Sequence, residues 1–145
     1  MAHKILIDGQ WKDSAGSTFQ AANPATCEPL PGEYPVSPWG EIEEALAAAA
    51  AAAREMRGWP GDRFASFLES FAGRIESRAD ELVETANQET ALPASPRLKD
   101  VELPRTTNQL RQAAAAARDG SWACPTIDTN LNIRSMFGPI GPVAV

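Results

Sequence analysis

SPRLKDVELPRTTNQLRQAAAAARDGSW, residues 95–122, is the stretch on which the rest of the chain is organised. Ser95 before Pro96 is a helix start. It offers a hydroxyl at the N-cap, then a ring whose fixed φ suits the first helical position and whose missing N–H is not needed there. Asp119-Gly120 is the matching stop, because Gly takes the left-handed conformation that ends a helix. Between these signals Leu103, Thr107, Leu110, Ala114 and Ala117 recur at helical spacing and predict a buried stripe. Glu102, Arg105, Gln109 and Gln112 share the opposite side. Pro104 lacks an N–H and crowds the preceding turn, so a kink or a break is expected there. Two readings of the polar face stand side by side: a solvated surface, as on most amphipathic helices, or an Arg flanked by Glu and Gln that looks into a cleft.

Upstream, the chain reads as shorter elements packed on this stretch. Residues 4–7 and 10–12 flank Asp8-Gly9, a strong hairpin signal. Residues 18–22 suggest a short strand, and Asn23-Pro24-Ala25-Thr26 a turn, since Asn before Pro disfavours helix. Residues 30–36, rich in proline, can form an edge strand or an extended loop. Ser37-Pro38 opens a first helix with Glu41, Glu43 and Glu44 near its positive end. Ile42, Leu46, Ala49, Ala53 and Met56 should form its packed side, and the alanine run 47–53 a small-residue surface that a neighbouring helix can approach closely. Gly58-Trp59-Pro60-Gly61 ends it. A second helix over 62–77 carries Phe64, Phe67, Leu68, Phe71 and Ile75, a stripe expected to be core. Ser77 and Asp80 resemble a capping box for a third helix that buries Ala79, Leu82, Val83 and Ala86 and ends near Thr90.

Downstream, residues 126–136 read as one or two strands, 138–141 as a turn, and 142–145 as the start of an apolar strand. Such a strand is usually covered on both faces. An apolar strand at this place is expected to belong to a longer protein, of which these residues are the front part. No repeat of solenoid length is visible.

The chain has 145 residues, enough for one domain with a core, and a net charge of −6. That balance argues against nucleic acid and against anionic lipid as partners, because both need a basic face. The longest apolar run, 45–53, is far too short to span a bilayer, and the N-terminus lacks the apolar segment of a signal peptide. A soluble cytoplasmic protein is expected, with Cys27 and Cys124 as free thiols. His3, the single histidine, can build neither a zinc site nor a triad. Neither cysteine has a neighbour in sequence that would activate it. Gly138-Pro139-Ile140-Gly141-Pro142 is not a phosphate cradle, because prolines remove the N–H groups such a loop needs. Taken alone, the residues assemble no active site.

In combination, several motifs nevertheless resemble the N-terminal segment of the aldehyde dehydrogenase superfamily. They are Ile7-Asp8-Gly9-Gln10-Trp11, Asn23-Pro24-Ala25-Thr26, Arg63-Phe64 through Leu68 and Ile75, Glu89-Thr90 with Leu92-Pro93, and Pro139-Ile140-Gly141-Pro142-Val143-Ala144-Val145, all in the family's order. Cys27 stands where the family usually has Gly. The run Glu89-Thr90-Ala91-Leu92-Pro93, then Arg97-Leu98, Glu102, Arg105-Thr106 and Gln109-Leu110-Arg111, looks like the branch acting on 2-oxoglutarate semialdehyde. Ala91 replaces a more usual Gly there, a departure expected to be without consequence.

The resemblance implies an α/β fold with two Rossmann-like layers in the full enzyme, to which this segment adds a mostly helical part with short N-terminal and C-terminal strands. It implies residues 1–36 as strands and turns, 37–120 as a helical layer, 121–136 as oligomerisation-type strands of a homo-oligomer, and 141–145 as the first strand of the cofactor domain, cut short. The implied chemistry is attack of a cysteine thiolate on the aldehyde, hydride transfer to NAD or NADP, and release of the acid by a glutamate-activated water. The nucleophile, that glutamate, the oxyanion-stabilising asparagine and the cofactor site match positions beyond Val145. No catalytic, cofactor or metal residue is therefore carried over, and the segment alone is expected to be inactive and to bind no cofactor. Arg105 alone matches a position facing the family's substrate funnel, where an Arg would suit a substrate carboxylate. The rival reading is a non-enzymatic helical remnant, or an interaction module working through its Ala-rich and Phe-rich faces. The coding sequence beyond Val145 discriminates the two.

Overall fold

The computed structural model describes residues 2–144. Two short hairpins lead into four helices, and a third hairpin follows them. Strands β1 (Ile5–Ile7) and β2 (Gln10–Lys12) pair antiparallel with Ile7 opposite Gln10. Asp8 and Gly9 between them both have positive φ, 51° and 74°, the conformation that the Asp-Gly signal predicts. Strands β3 (Thr18–Phe19) and β4 (Tyr34–Pro35) form the second pair, shorter than the sequence suggested. The connecting turn closes on Asn23, whose side-chain oxygen accepts from the Ala25 N–H at 2.9 Å and whose carbonyl accepts from the Cys27 N–H at 2.7 Å.

The helices are α1 (Trp39–Met56), α2 (Gly61–Ser77), α3 (Ala79–Thr90) and α4 (Leu103–Asp119). The core lies between α2 and α4. Ala65, Ala72 and Ala114 have no exposed surface, and Thr107 is buried beside them. The predicted α4 stripe is confirmed throughout, with Thr107 and Ala114 buried and Leu103, Leu110 and Ala117 half-buried. Small residues on both helices let the backbones close up. A Cβ on Gly61 would lie 2.0 Å from the Ala117 carbonyl oxygen. Val83 of α3, Leu98 and, in the first hairpin, Ile7 are the other buried apolar residues.

Other expectations need correction. The α2 aromatic stripe is not all core, because the seam is set by Ala65 and Ala72. Phe64, Leu68 and Ile75 flank that seam half-buried, while Phe67 and Phe71 point outward and stack on each other at 6.2 Å. No residue of α1 is buried, and Ile42 and Leu46 of its expected packed side are exposed. The N-caps of α1 and α3 are Pro38 and Arg78, and neither start has a side-chain cap. Ser77 instead donates its hydroxyl to the Arg74 carbonyl.

Residues 95–122 are not one uniform helix. Ala94–Glu102 winds as a π-helical turn, and α4 follows it directly. Ser95 is extended (φ −129°, ψ 140°), with a cis peptide to Pro96, and its hydroxyl donates to Asp100 instead of capping the turn. Pro104 falls in the first turn of α4, so the expected break takes the form of a change in winding just before it. The predicted stop holds. Gly120 is left-handed (φ 69°), and its N–H donates to the Ala116 carbonyl.

Beyond it, β5 (Thr126–Asp128) and β6 (Ile133–Ser135) form an exposed hairpin. Residues 141–144 carry no strand, having no neighbour to bond, and Val145 lies outside the described residues. The chain is thus mostly helical, with short strands at both ends.

Candidate functional site

Arg105 sits one residue past Pro104 in the first turn of α4, on the face opposite Thr107 and Ala114. Its side chain is 65% exposed. Its single charged neighbour among the described residues is the half-buried Glu102, at 3.7 Å from Nη1 to Oε2, which is too long for a hydrogen bond. The other oxygen of Glu102 faces Arg97, at 2.5 Å from Nη2 to Oε1. Two guanidinium groups therefore bracket one carboxylate, leaving a positive charge in excess. Arg105 is thus exposed, and its guanidinium is not held by a hydrogen bond to Glu102. The Arg97–Glu102 pair was not foreseen in the sequence. At the period of an α-helix, a separation of five puts Arg97 and Glu102 on different faces.

Nothing else among the described residues assembles acid, base and nucleophile. Cys27 and Cys124 are both exposed and unlinked. No group of three or more His, Cys, Asp or Glu is arranged to hold a metal ion. His3 stacks on Tyr34 at 4.8 Å. An open groove of about 720 Å³ runs between α1 and the C-terminal segment, lined by Ala49, Ala53, Met56, Phe64, Ile140 and Pro142 among others. A smaller one of about 400 Å³ lies on the exposed side of α2, by Phe67 and Phe71. Neither lining includes a carboxylate, an imidazole or a thiol. No helix of the described residues is long and apolar enough to cross a membrane.

The fold is that of an aldehyde dehydrogenase helical layer. Aldehyde dehydrogenase C of Pseudomonas syringae, solved as a variant with NAD+ and octanal, superposes with a TM-score of 0.77 at 23% identity, covering 88% of this chain and 26% of that one. Lactaldehyde dehydrogenase of Escherichia coli superposes with a TM-score of 0.73 at 27% identity, covering 81% and 24%. The model of the aldehyde dehydrogenase family matches residues 11–145. The chain belongs to that family.

Among curated relatives, the alpha-ketoglutaric semialdehyde dehydrogenase of Acinetobacter baylyi is 31% identical over 151 aligned positions, covering 98% of this chain. The N-succinylglutamate 5-semialdehyde dehydrogenase of Burkholderia mallei is 29% identical over 142, also covering 98%. The chain spans 28% of the length of each of these two relatives.

Proposed function

We propose that this chain is the N-terminal part of an NAD(P)-dependent aldehyde dehydrogenase that oxidises a carboxylate-bearing semialdehyde, 2-oxoglutarate semialdehyde foremost, to the acid. The observation that carries the substrate class is Arg105, exposed and only loosely matched by Glu102. A guanidinium in that state can take a carboxylate through two parallel N–H donors and so orient the aldehyde end of the substrate away from itself. The names of the two curated relatives support an acidic semialdehyde.

In this reading the nucleophilic cysteine, the water-activating glutamate and the cofactor site lie beyond residue 145. NAD or NADP, bound there, accepts the hydride. This segment supplies the helical layer and the substrate-facing Arg105. The β5–β6 hairpin serves as the oligomerisation strands of a homo-oligomer, and the enzyme works in the cytoplasm.

The test is kinetic, on the enzyme encoded by the complete gene. Arg105→Ala should raise KM for 2-oxoglutarate semialdehyde roughly tenfold more than KM for pentanal, as loss of a charge-assisted hydrogen bond predicts. Equal effects on both substrates would remove Arg105 from the site. No NAD(P)-dependent oxidation of any aldehyde by the wild type would refute the enzyme reading and favour an interaction module.

A further inference from the structure

The π winding of Ala94–Glu102 is a rare form of helix, and single π turns are frequent at functional sites. Two i→i+5 backbone bonds define it here, Leu98 N–H to the Pro93 carbonyl at 3.1 Å and Leu103 N–H to the Leu98 carbonyl. The buried Leu98, shared by both, pins the turn to the core. In an α-helix, residues five apart diverge by roughly 140° around the axis. The wider π turn narrows that divergence. The winding therefore brings Arg97 onto the face of Glu102, within 2.5 Å, and so onto the face of Arg105.

We infer that Arg97 is a second specificity-determining guanidinium of the substrate site, and that Glu102 is the positioning residue that holds it beside Arg105. The inference rests on the semialdehyde reading above and extends it. A 2-oxo acid presents a carboxylate and an adjacent ketone oxygen at one end. One guanidinium takes the carboxylate in a paired fork, and the second takes the ketone oxygen and the carboxylate oxygen nearest it. Glu102 keeps the two cations from repelling one another while the site is empty. It faces the two through different oxygens, Arg97 at 2.5 Å and Arg105 at 3.7 Å, and both guanidinium groups are more than half exposed. The excess positive charge that remains selects an anionic end over a neutral one.

The experiment measures the ratio of kcat/KM for 2-oxoglutarate semialdehyde to that for pentanal, on the enzyme encoded by the complete gene. Arg97→Gln should lower this ratio roughly tenfold. Glu102→Gln should lower it in the same direction, because Arg97 then loses its anchor. Arg97→Lys should recover only part of the ratio, since a point charge replaces the planar fork. Arg78→Ala, which breaks an exposed pair with Glu81 on α3, is the surface control and should leave the ratio unchanged. An unchanged ratio in Arg97→Gln, or a ratio that rises in Glu102→Gln, would overturn the inference. A wild type that prefers pentanal would overturn the semialdehyde reading instead. A wild type that prefers the semialdehyde, with Arg105→Ala selective and Arg97→Gln not, sinks only the role of Arg97.

Discussion

The Arg118 guanidinium donates from Nη1 and Nη2 to the two carboxylate oxygens of Glu69, at 2.5 and 2.8 Å, while its Nε donates to Asp62 at 2.9 Å. One side chain in the last turn of α4 thus holds two acids of α2, Asp62 in its first turn and Glu69 at its middle. Seven residues back along α4, Arg111 makes the same double contact with Glu76 at 2.7 and 2.8 Å. The two clamps fix α2 and α4 antiparallel on either side of the alanine seam. Both lie at the surface, so the seam supplies most of the energy and the clamps chiefly set the register.

Acid should loosen this arrangement. The hydrogen bonds from Arg118 lower the pKa of Glu69, and those from Arg111 lower that of Glu76. Lys99 lowers Asp80, and the Ala15 N–H, with Ser14, lowers Glu41. A carboxylate with a depressed folded pKa stabilises the fold in full above its unfolded value, 4.5 for Glu, and loses that contribution as pH falls through the folded value. The thermal midpoint, followed by circular dichroism, should hold level from about pH 7 to about pH 5 and then decline. Arg118→Ala should make the decline shallower. A midpoint level down to about pH 3 would contradict the linkage.

At Gly61 the backbone of α2 comes close to that of α4. A methyl there would meet the Ala117 carbonyl, a backbone atom that cannot swing aside. Gly61→Ala should therefore cost about 2 kcal/mol or more, despite the better helix propensity of Ala. Urea denaturation measures this, and a gain in stability would show that the helices do not pack this closely.

Ala91 ends α3 in the left-handed region (φ 57°, ψ 13°), its N–H donating to the Asn87 carbonyl. The replacement of the family's usual Gly is thus not neutral, because a Cβ is strained there. Ala91→Gly should stabilise by about 1 kcal/mol, the left-handed penalty less the extra freedom Gly has when unfolded. Cys27, with φ 59°, should respond to Gly with the same sign. Loss of stability in both variants would argue against the left-handed geometry.

The β5–β6 hairpin leaves Ile127, Leu131 and Ile133 at 65%, 69% and 53% exposure, with Met136 and Phe137 just beyond. Uncovered apolar strand edges associate. The 145-residue polypeptide should therefore scatter light at low concentration. The pair Ile127→Lys and Ile133→Thr should raise its monodisperse limit roughly severalfold with little change in melting temperature. An unaltered limit would place the sticky surface elsewhere.

Turns and helix stops were legible in the sequence because they are decided locally, whereas the hydroxyls expected to cap helix starts at Ser77 and Ser95 took other partners, the Arg74 carbonyl and Asp100. Asp8-Gly9, the Asn23 turn and Gly120 each needed only their own chemistry. The α4 stripe was legible too, since its period is unbroken over 103–117. What failed depended on a neighbour. Phe67 and Phe71 have the right spacing for a core, but α4 packs on Ala65 and Ala72, and no helix among the described residues covers the phenylalanines. The α1 stripe held only in part, with Ala49, Ala53 and Met56 half-buried and Ile42 and Leu46 exposed. Arg105 was placed by family likeness, whereas Arg97 required the π winding, and a pattern search at the α period cannot see a five-residue match.

The 18 residues of α1 include none that is buried. Its ties to the rest lie at its N-terminal end, where Glu41 accepts from Ser14 and Ala15 and Glu44 meets Lys12. Past those ties Ala49, Ala53 and Met56 are only half-buried, so its backbone bonds are guarded by little tertiary packing. Its amide hydrogens should exchange with solvent far sooner than those of α2 and α4, whose exposure requires opening the core. The chain therefore has a gradient of opening free energies, steepest between Met56 and Gly61, and a protease that cuts extended backbone would find α1 before it found the seam.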